Sequence, residues 1–179
     1  TKVGFATINN FVHVYLPKNT PWYKVTKYLG YITFLIVVYY AWIGLSQLIK
    51  YKSIKKVDKK IILLGLFYIL VGIVYLFFEK VVINYRPILM NKELEASFPS
   101  SHTMLALCVC GSSLIMSKYR IKDKKKKSIL DMITWSLMIV LVVGRVLSGV
   151  HWLTDIIGSV IISAFLLSLL LTCIKKIKK

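Results

Sequence analysis

Seven residues in an otherwise apolar chain carry side chains that do polar chemistry in a recognisable pattern. His151 and Asp155 are four apart in "HWLTD". If that stretch is helical or turn-like, the carboxylate can reach an imidazole N–H and fix the ring's tautomer. "PSSH" places Ser100, Ser101 and His102 in front of a long apolar run. Serines there cap a helix, and a helix N-terminus also presents free N–H groups and partial positive charge to an anion. Arg86 and Arg145 offer planar forks of donors that match phosphate oxygens. Together these groups form a phosphate cradle with a nucleophile and a proton donor. A neutral imidazole can attack phosphorus, and a second histidine can protonate the leaving oxygen. Positive charge around the equatorial oxygens supplies the electrostatic part of phosphoryl transfer. Each residue also has a plainer reading: snorkelling arginines, a capping serine, a structural His–Asp pair. No cluster of metal ligands is visible, so the arginines take the part that magnesium plays elsewhere, and no cofactor is expected.

The elements that must position these residues are membrane helices. The chain has 179 residues, 57% hydrophobic, and a formal charge of +18. Uncharged runs such as Tyr28 to Ile49, Ile61 to Phe78 and Ile156 to Ile174 alternate with lysine-rich ones. Each run can cross a hydrocarbon core of about 30 Å as a helix. Ser97 to Ser117 contains only His102 as a titratable group, and Ile129 to Leu147 is interrupted by Asp131 and Arg145. The expected fold is all-α: one integral membrane helical bundle over residues 1–179. Its five transmembrane helices fall at about 26–49, 61–84, 100–117, 129–147 and 154–175. The lysine runs at 50–60, 118–127 and 175–179 follow the first, third and fifth helices, which makes that side cytoplasmic. Contact with anionic lipid accounts for them, and nucleic acid is not an expected partner. Residues 1–25 are then external and interfacial, with His13 at the surface, and an exported N-terminus implies an earlier segment upstream, either a sixth membrane helix or a cleaved signal. Cys108, Cys110 and Cys173 lie in apolar helices, with no C-x-x-C and no even count, so neither a disulfide framework nor a zinc site is expected.

With that topology Arg86, Ser100, Ser101, His102, Arg145, His151 and Asp155 all lie near one membrane surface, the extracytoplasmic one. Four stretches distant in sequence converge on one layer. Charged groups at such positions are costly to place in a membrane and point to function.

In these residues the chain resembles the type 2 phosphatidic acid phosphatase family of membrane lipid phosphatases. That family's pattern is K-x6-R-P, then P-S-G-H, then S-R-x5-H-x3-D. Arg86-Pro87 closes the first part, Pro99 to His102 supply the second, and Arg145, His151 and Asp155 supply the third with intact spacing. The resemblance runs from about residue 26 onward. It implies His151 as nucleophile, Asp155 as its orienting partner and His102 as general acid. It assigns phosphate binding to Arg86, Ser100, Arg145 and the N–H of Ser101. Three departures stand out: Ser101 for glycine, Gly144 for serine, and Glu79 where the family has lysine, with Lys80 one position on. One step turns a helical side chain by about 100°. The expectation is an inward Lys80 as an auxiliary phosphate ligand, with Glu79 at the interface or behind the site.

The implied substrate is an amphiphile with an exposed phosphomonoester or pyrophosphate: undecaprenyl pyrophosphate, phosphatidylglycerol phosphate or phosphatidic acid. The partners are that lipid phosphate and the surrounding membrane lipids. A lipid phosphotransferase and a non-catalytic lipid-binding or transport protein are the alternatives.

Overall fold

The computed structural model describes residues 5–89 and 94–177. Residues 1–4 of the expected interfacial segment, and 90–93 within the expected outward segment Ile88–Phe98, lie outside them. The described residues form six α-helices: α1 (Ala6–Tyr15), α2 (Thr20–Tyr51), α3 (Lys59–Lys80), α4 (Ser101–Arg120), α5 (Lys124–Leu147) and α6 (Leu153–Lys176), with a 3₁₀ turn at Ile54–Lys56.

Helix starts are set by local chemistry. Asn19 precedes Pro21 and accepts a hydrogen bond from the Trp22 N–H, which starts α2. Asp58 accepts from the Lys60 N–H at the head of α3, and Asp123 from those of Lys125 and Lys126 at the head of α5. Four helices, α2, α3, α5 and α6, are long and apolar enough to cross a membrane. Their exposed faces carry Phe34, Trp42, Leu66, Ile73, Ile139, Ile161 and Phe165. Large apolar groups on the outside are the pattern a lipid solvent selects, and the chain is a multi-pass membrane protein.

The remaining long helix, α4, is the most polar and the most enclosed. It packs against α2, α3, α5 and α6. Its buried residues include Met104, Cys108, Cys110, Ser112 and Met116. A helix surrounded by other helices needs no apolar coat, so its small polar residues turn inward and join neighbours. Tyr68 and Ser112 are 3.1 Å apart, and Tyr40 and Ser113 are 3.4 Å apart. Leu64, Phe67, Val71, Met104, Cys108, Met116, Leu166, Leu170 and Ile174 fill the centre.

The lysine-rich ends of the helices gather at one end of the bundle. There Arg120 pairs with Asp58 at 3.4 Å, Lys127 pairs with Asp131, and the Ser117 hydroxyl donates to Asp131 at 2.7 Å. The helices run past the uncharged stretches, because backbone hydrogen bonding continues where the hydrocarbon ends. At 1.5 Å per residue the 32 residues of α2 extend about 48 Å.

One boundary differs in a way that matters. α3 stops at Lys80, short of the expected residue 84, so Arg86 does not ride on a helix end. Residues 84–86 are instead extended and pair antiparallel with 95–97. Arg86 N–H donates to the Glu95 carbonyl at 3.2 Å, and Ser97 N–H donates to the Asn84 carbonyl at 3.0 Å. Val81, Val82 and Ile83 are β-branched, which favours extended backbone once the helix is released.

Candidate active site

The site lies at the end of the bundle opposite the lysines. α5 ends at Leu147, and Ser148 and Gly149 turn the chain so that His151 precedes α6 instead of lying on a helix. Gly149 has φ of +63°, which a residue with a side chain resists, and a Cβ there would meet the Leu16 and Pro17 backbone at 2.6 Å. The segment after α1 braces the turn from outside, with the Asn19 N–H donating to the Ser148 carbonyl at 3.0 Å. α1 itself is pinned to the start of α6: Asn9 donates to the Thr154 hydroxyl at 2.9 Å, and His13 packs edge-on against Trp152. His13 is therefore a packing residue on this segment.

Asp155 is fully buried and accepts three hydrogen bonds. Asn84 Nδ2 donates to Oδ1 at 3.1 Å, the Trp152 N–H donates to Oδ2 at 2.9 Å, and the Ser97 hydroxyl donates to Oδ2. His151 Nδ1 lies 3.6 Å from that same oxygen, too far for a direct hydrogen bond, but 3.2 Å from Ser97 Oγ. The expected His–Asp contact is thus routed through a serine. Burial lowers the His151 pKa, the Arg86 and Arg145 cations lower it further, and Asp155 opposes them. Burial and the two cations favour the neutral ring.

Arg145 sits in the last turn of α5 with 1% of its surface exposed. Its guanidinium carbon lies 5.3 Å from the Tyr23 ring centroid on α2. Gly144 allows this approach: a Cβ there would come within 2.5 Å of the Thr26 methyl. Arg145 Nε and Nη2 and His151 Nε2 are buried and have no hydrogen-bond partner among the described residues. Desolvating one ion costs several kcal/mol, whereas a cation–π contact returns about 0.5–2 kcal/mol, so Tyr23 alone does not balance the buried cation. The Arg145 N–H groups left in this state match an anion.

Arg86 is only partly buried, and its Nε lies 3.1 Å from a carboxylate oxygen of Glu95. Ser100 is fully buried; its Oγ lies 3.0 Å from Thr103 Oγ1, and its N–H donates to the Asp155 carbonyl at 3.2 Å. Ser159 donates to the Ser100 carbonyl at 2.9 Å, which locks the start of α4 to α6. Ser101 is the first residue of α4, where helix geometry leaves N–H groups without an intrahelical acceptor. His102 is exposed and opens into a cavity with Lys27, Tyr31 and Phe34 of α2. His151 opens into another, with Glu79, Phe78 and Phe98. Ser101 and Tyr75 line both cavities. Arg86, Arg145 and His151 are all close enough to His102 to act on it electrostatically.

The structure places Lys80 differently from the inward position expected for it. Glu79 lines the cavity at His151, and Lys80, the last residue of α3, is exposed and absent from that lining. The single-residue offset rotates the lysine off the face that α3 turns to the site. Among the described residues no group of three or more His, Cys, Asp or Glu side chains forms a ligand set for a metal.

Sequence reasoning missed Ser97, Asn84, Glu95, Tyr23 and Lys27. Ser97 and Glu95 stand only a few positions before Ser100, but nothing in their spacing marks them. They reach the site through the extended pairing of 84–86 with 95–97.

A membrane bundle whose polar residues converge at one end around buried, partnerless arginine and histidine nitrogens defines the class. The chain belongs to the PAP2 superfamily, whose family model matches residues 61–179. The match spans α3 to α6 and contains every motif residue from Glu79 to Asp155; it starts later than the residue 26 read from the motifs. None of the curated proteins matches the chain. Among solved structures, the chain is similar to one described as the first transmembrane PAP2 type phosphatidylglycerolphosphate phosphatase from Bacillus subtilis. The TM-score is 0.63 at 21% identity, over 100% of this chain and 90% of that one.

Proposed function

We propose that this chain is a membrane lipid phosphatase that hydrolyses a phosphomonoester or pyrophosphate of a lipid through a phosphohistidine. The carrying observation is the set of buried nitrogens without partners, Arg145 Nε and Nη2 and His151 Nε2. In this reading Nε2 of neutral His151 attacks phosphorus as the bond to the leaving oxygen breaks, and His102 donates a proton to that oxygen. Water then gives a proton back to His102 as it attacks the phosphorus of the phosphohistidine, the N–P bond breaks, and inorganic phosphate leaves. Arg145, Arg86 and the N–H of Ser101 hold the phosphoryl oxygens, and Asp155 anchors the histidine. The hydroxyl of Ser100, tied to Thr103, shapes the start of α4 beside them. Lys80 is too peripheral for a leading part. No metal is required, because the arginines supply the positive charge.

The active site faces the outside of the cell and the lysine-rich loops face the cytoplasm, as the distribution of lysines supports. Undecaprenyl pyrophosphate, phosphatidylglycerol phosphate and phosphatidic acid are the substrates to compare. The middle one carries added interest because it names the activity of the structurally similar protein from Bacillus subtilis.

The test is phosphate release from each lipid by the protein in nanodiscs, with acid-labile label trapped on the protein. His151→Ala should abolish both release and labelling. His102→Ala should slow release while leaving activated substrates, which need no proton, less affected. Turnover near the wild-type level in both variants on every lipid would sink the mechanism. Transfer of label to a second lipid instead of water would make the protein a phosphotransferase.

A further inference from the structure

We infer that Ser97 is the positioning residue that sets the tautomer of His151, and that Asp155 acts on the ring through it. The inference rests on the reading of His151 as nucleophile. A hydroxyl has one proton to donate. The Ser97 proton goes to Asp155 Oδ2, so Oγ meets His151 Nδ1, 3.2 Å away, as an acceptor. Nδ1 must therefore carry the ring's proton, and the lone pair is left on Nε2. That is the nitrogen with no partner, on the side of the ring that needs to attack.

Asp155 makes no direct hydrogen bond to the ring in this arrangement. Its Oδ2 is 3.6 Å from Nδ1 and already receives the Ser97 hydroxyl and the Trp152 N–H, while Oδ1 receives Asn84. The carboxylate is held by three donors.

Ser97 itself is 1% exposed and held from both sides. Its N–H donates to the Asn84 carbonyl at 3.0 Å, and the Phe98 ring beside it meets Phe78 edge-on at 5.8 Å between centroids. The same backbone pairing carries Arg86. The segment that supplies a phosphate-facing cation thus also supplies the group that orients the histidine.

The chain has three histidines, so ¹⁵N-histidine labelling of the whole protein in lipid nanodiscs can resolve His151 by the loss of its signals in His151→Gln. The wild type should show His151 as the Nδ1–H tautomer. Ser97→Ala should shift it toward Nε2–H and lower kcat by roughly 10- to 100-fold at unchanged KM, the scale of one lost hydrogen bond to a charged group. Ser97→Thr, which keeps the hydroxyl, should restore both. A wild-type His151 in the Nε2–H form overturns the proposal, as does a Ser97→Ala protein that keeps the Nδ1–H form. If Ser97→Ala does not fold, Ser97→Val, which matches the shape of threonine without its hydroxyl, takes its place beside Ser97→Thr, with the same shift expected and an unshifted Nδ1–H form overturning the proposal. Because the tautomer is read without turnover, a protein that releases phosphate from no lipid would remove the function and leave the role of Ser97 to be judged separately.

Discussion

The guanidinium of Arg145 lies over the ring of Tyr23, with 5.3 Å between its carbon and the ring centroid, and this contact joins the end of α5 to the start of α2. A planar cation stacked on an aromatic face keeps its N–H edges free for a ligand in the plane of the fork. Tyr23→Phe should therefore preserve activity. Tyr23→Leu should lower kcat/KM roughly 2- to 30-fold, the range of a cation–π contact. The measurement is steady-state kinetics on one lipid phosphate. Equal losses in both variants would show that the hydroxyl, not the ring face, is what Arg145 uses.

Gly144 should not accept the serine that the resembling family carries there. A Cβ at this position meets the Thr26 methyl at 2.5 Å and the Trp22 ring at 3.2 Å. Gly144→Ser should cost about 1–3 kcal/mol, the usual scale for overpacking. Adding Thr26→Ser, which removes the methyl, should recover part of it. Thermal unfolding in detergent checks both, and a Gly144→Ser protein as stable as the wild type would refute the packing account.

The pH profile should show a neutral nucleophile. The His151 pKa is lowered from its ordinary 6.5, chiefly by burial. The attacking form is the deprotonated ring, so activity should hold through neutral pH and fall only as acid protonates Nε2, below the ordinary histidine range. Profiles of kcat/KM should be taken on two substrates whose own phosphate pKa values differ. An acid-side loss of activity common to both, with its midpoint at or above 6.5, would contradict the burial of this ring.

Glu79 lines the cavity at His151, so it faces any dianion bound there. The residue is exposed and solvent screens it, so the repulsion is of the size seen for surface charge pairs. Glu79→Gln should lower KM for a phosphomonoester by roughly 1.5- to 5-fold, with the gain shrinking as salt is added. Lys80→Ala should change kcat/KM far less than Arg86→Ala or Arg145→Ala. A large loss on Lys80→Ala with none on Glu79→Gln would return the lysine to the site.

Topology can be read by thiol labelling in a background without Cys173, the exposed native cysteine. Single cysteines at Leu89, near the site, and at Lys125, at the lysine-rich end, should label from opposite sides of intact cells, with Leu89 outside. Labelling from one side would overturn the orientation.

The residue types and spacings of Arg86-Pro87, "PSSH" and R-x5-H-x3-D were legible in the sequence because each motif is a short run whose spacing is written in the chain itself. The helices were legible because a membrane span is a composition signal, long and apolar between charges. α4 was legible only in part: its serines and cysteines read as a weak span, and enclosure by its neighbours explains them. The tertiary structure decided what depends on contacts between distant segments. It placed Ser97 between His151 and Asp155, paired Arg86 with Glu95, laid Tyr23 under Arg145, and turned Glu79 to the cavity in place of Lys80. The physical reason is common to all four. A hydrogen bond, an ion pair or a ring stack is fixed to within a fraction of an ångström by packing between elements, whereas sequence spacing gives a side chain's direction on its own helix and not which face that helix turns to the site.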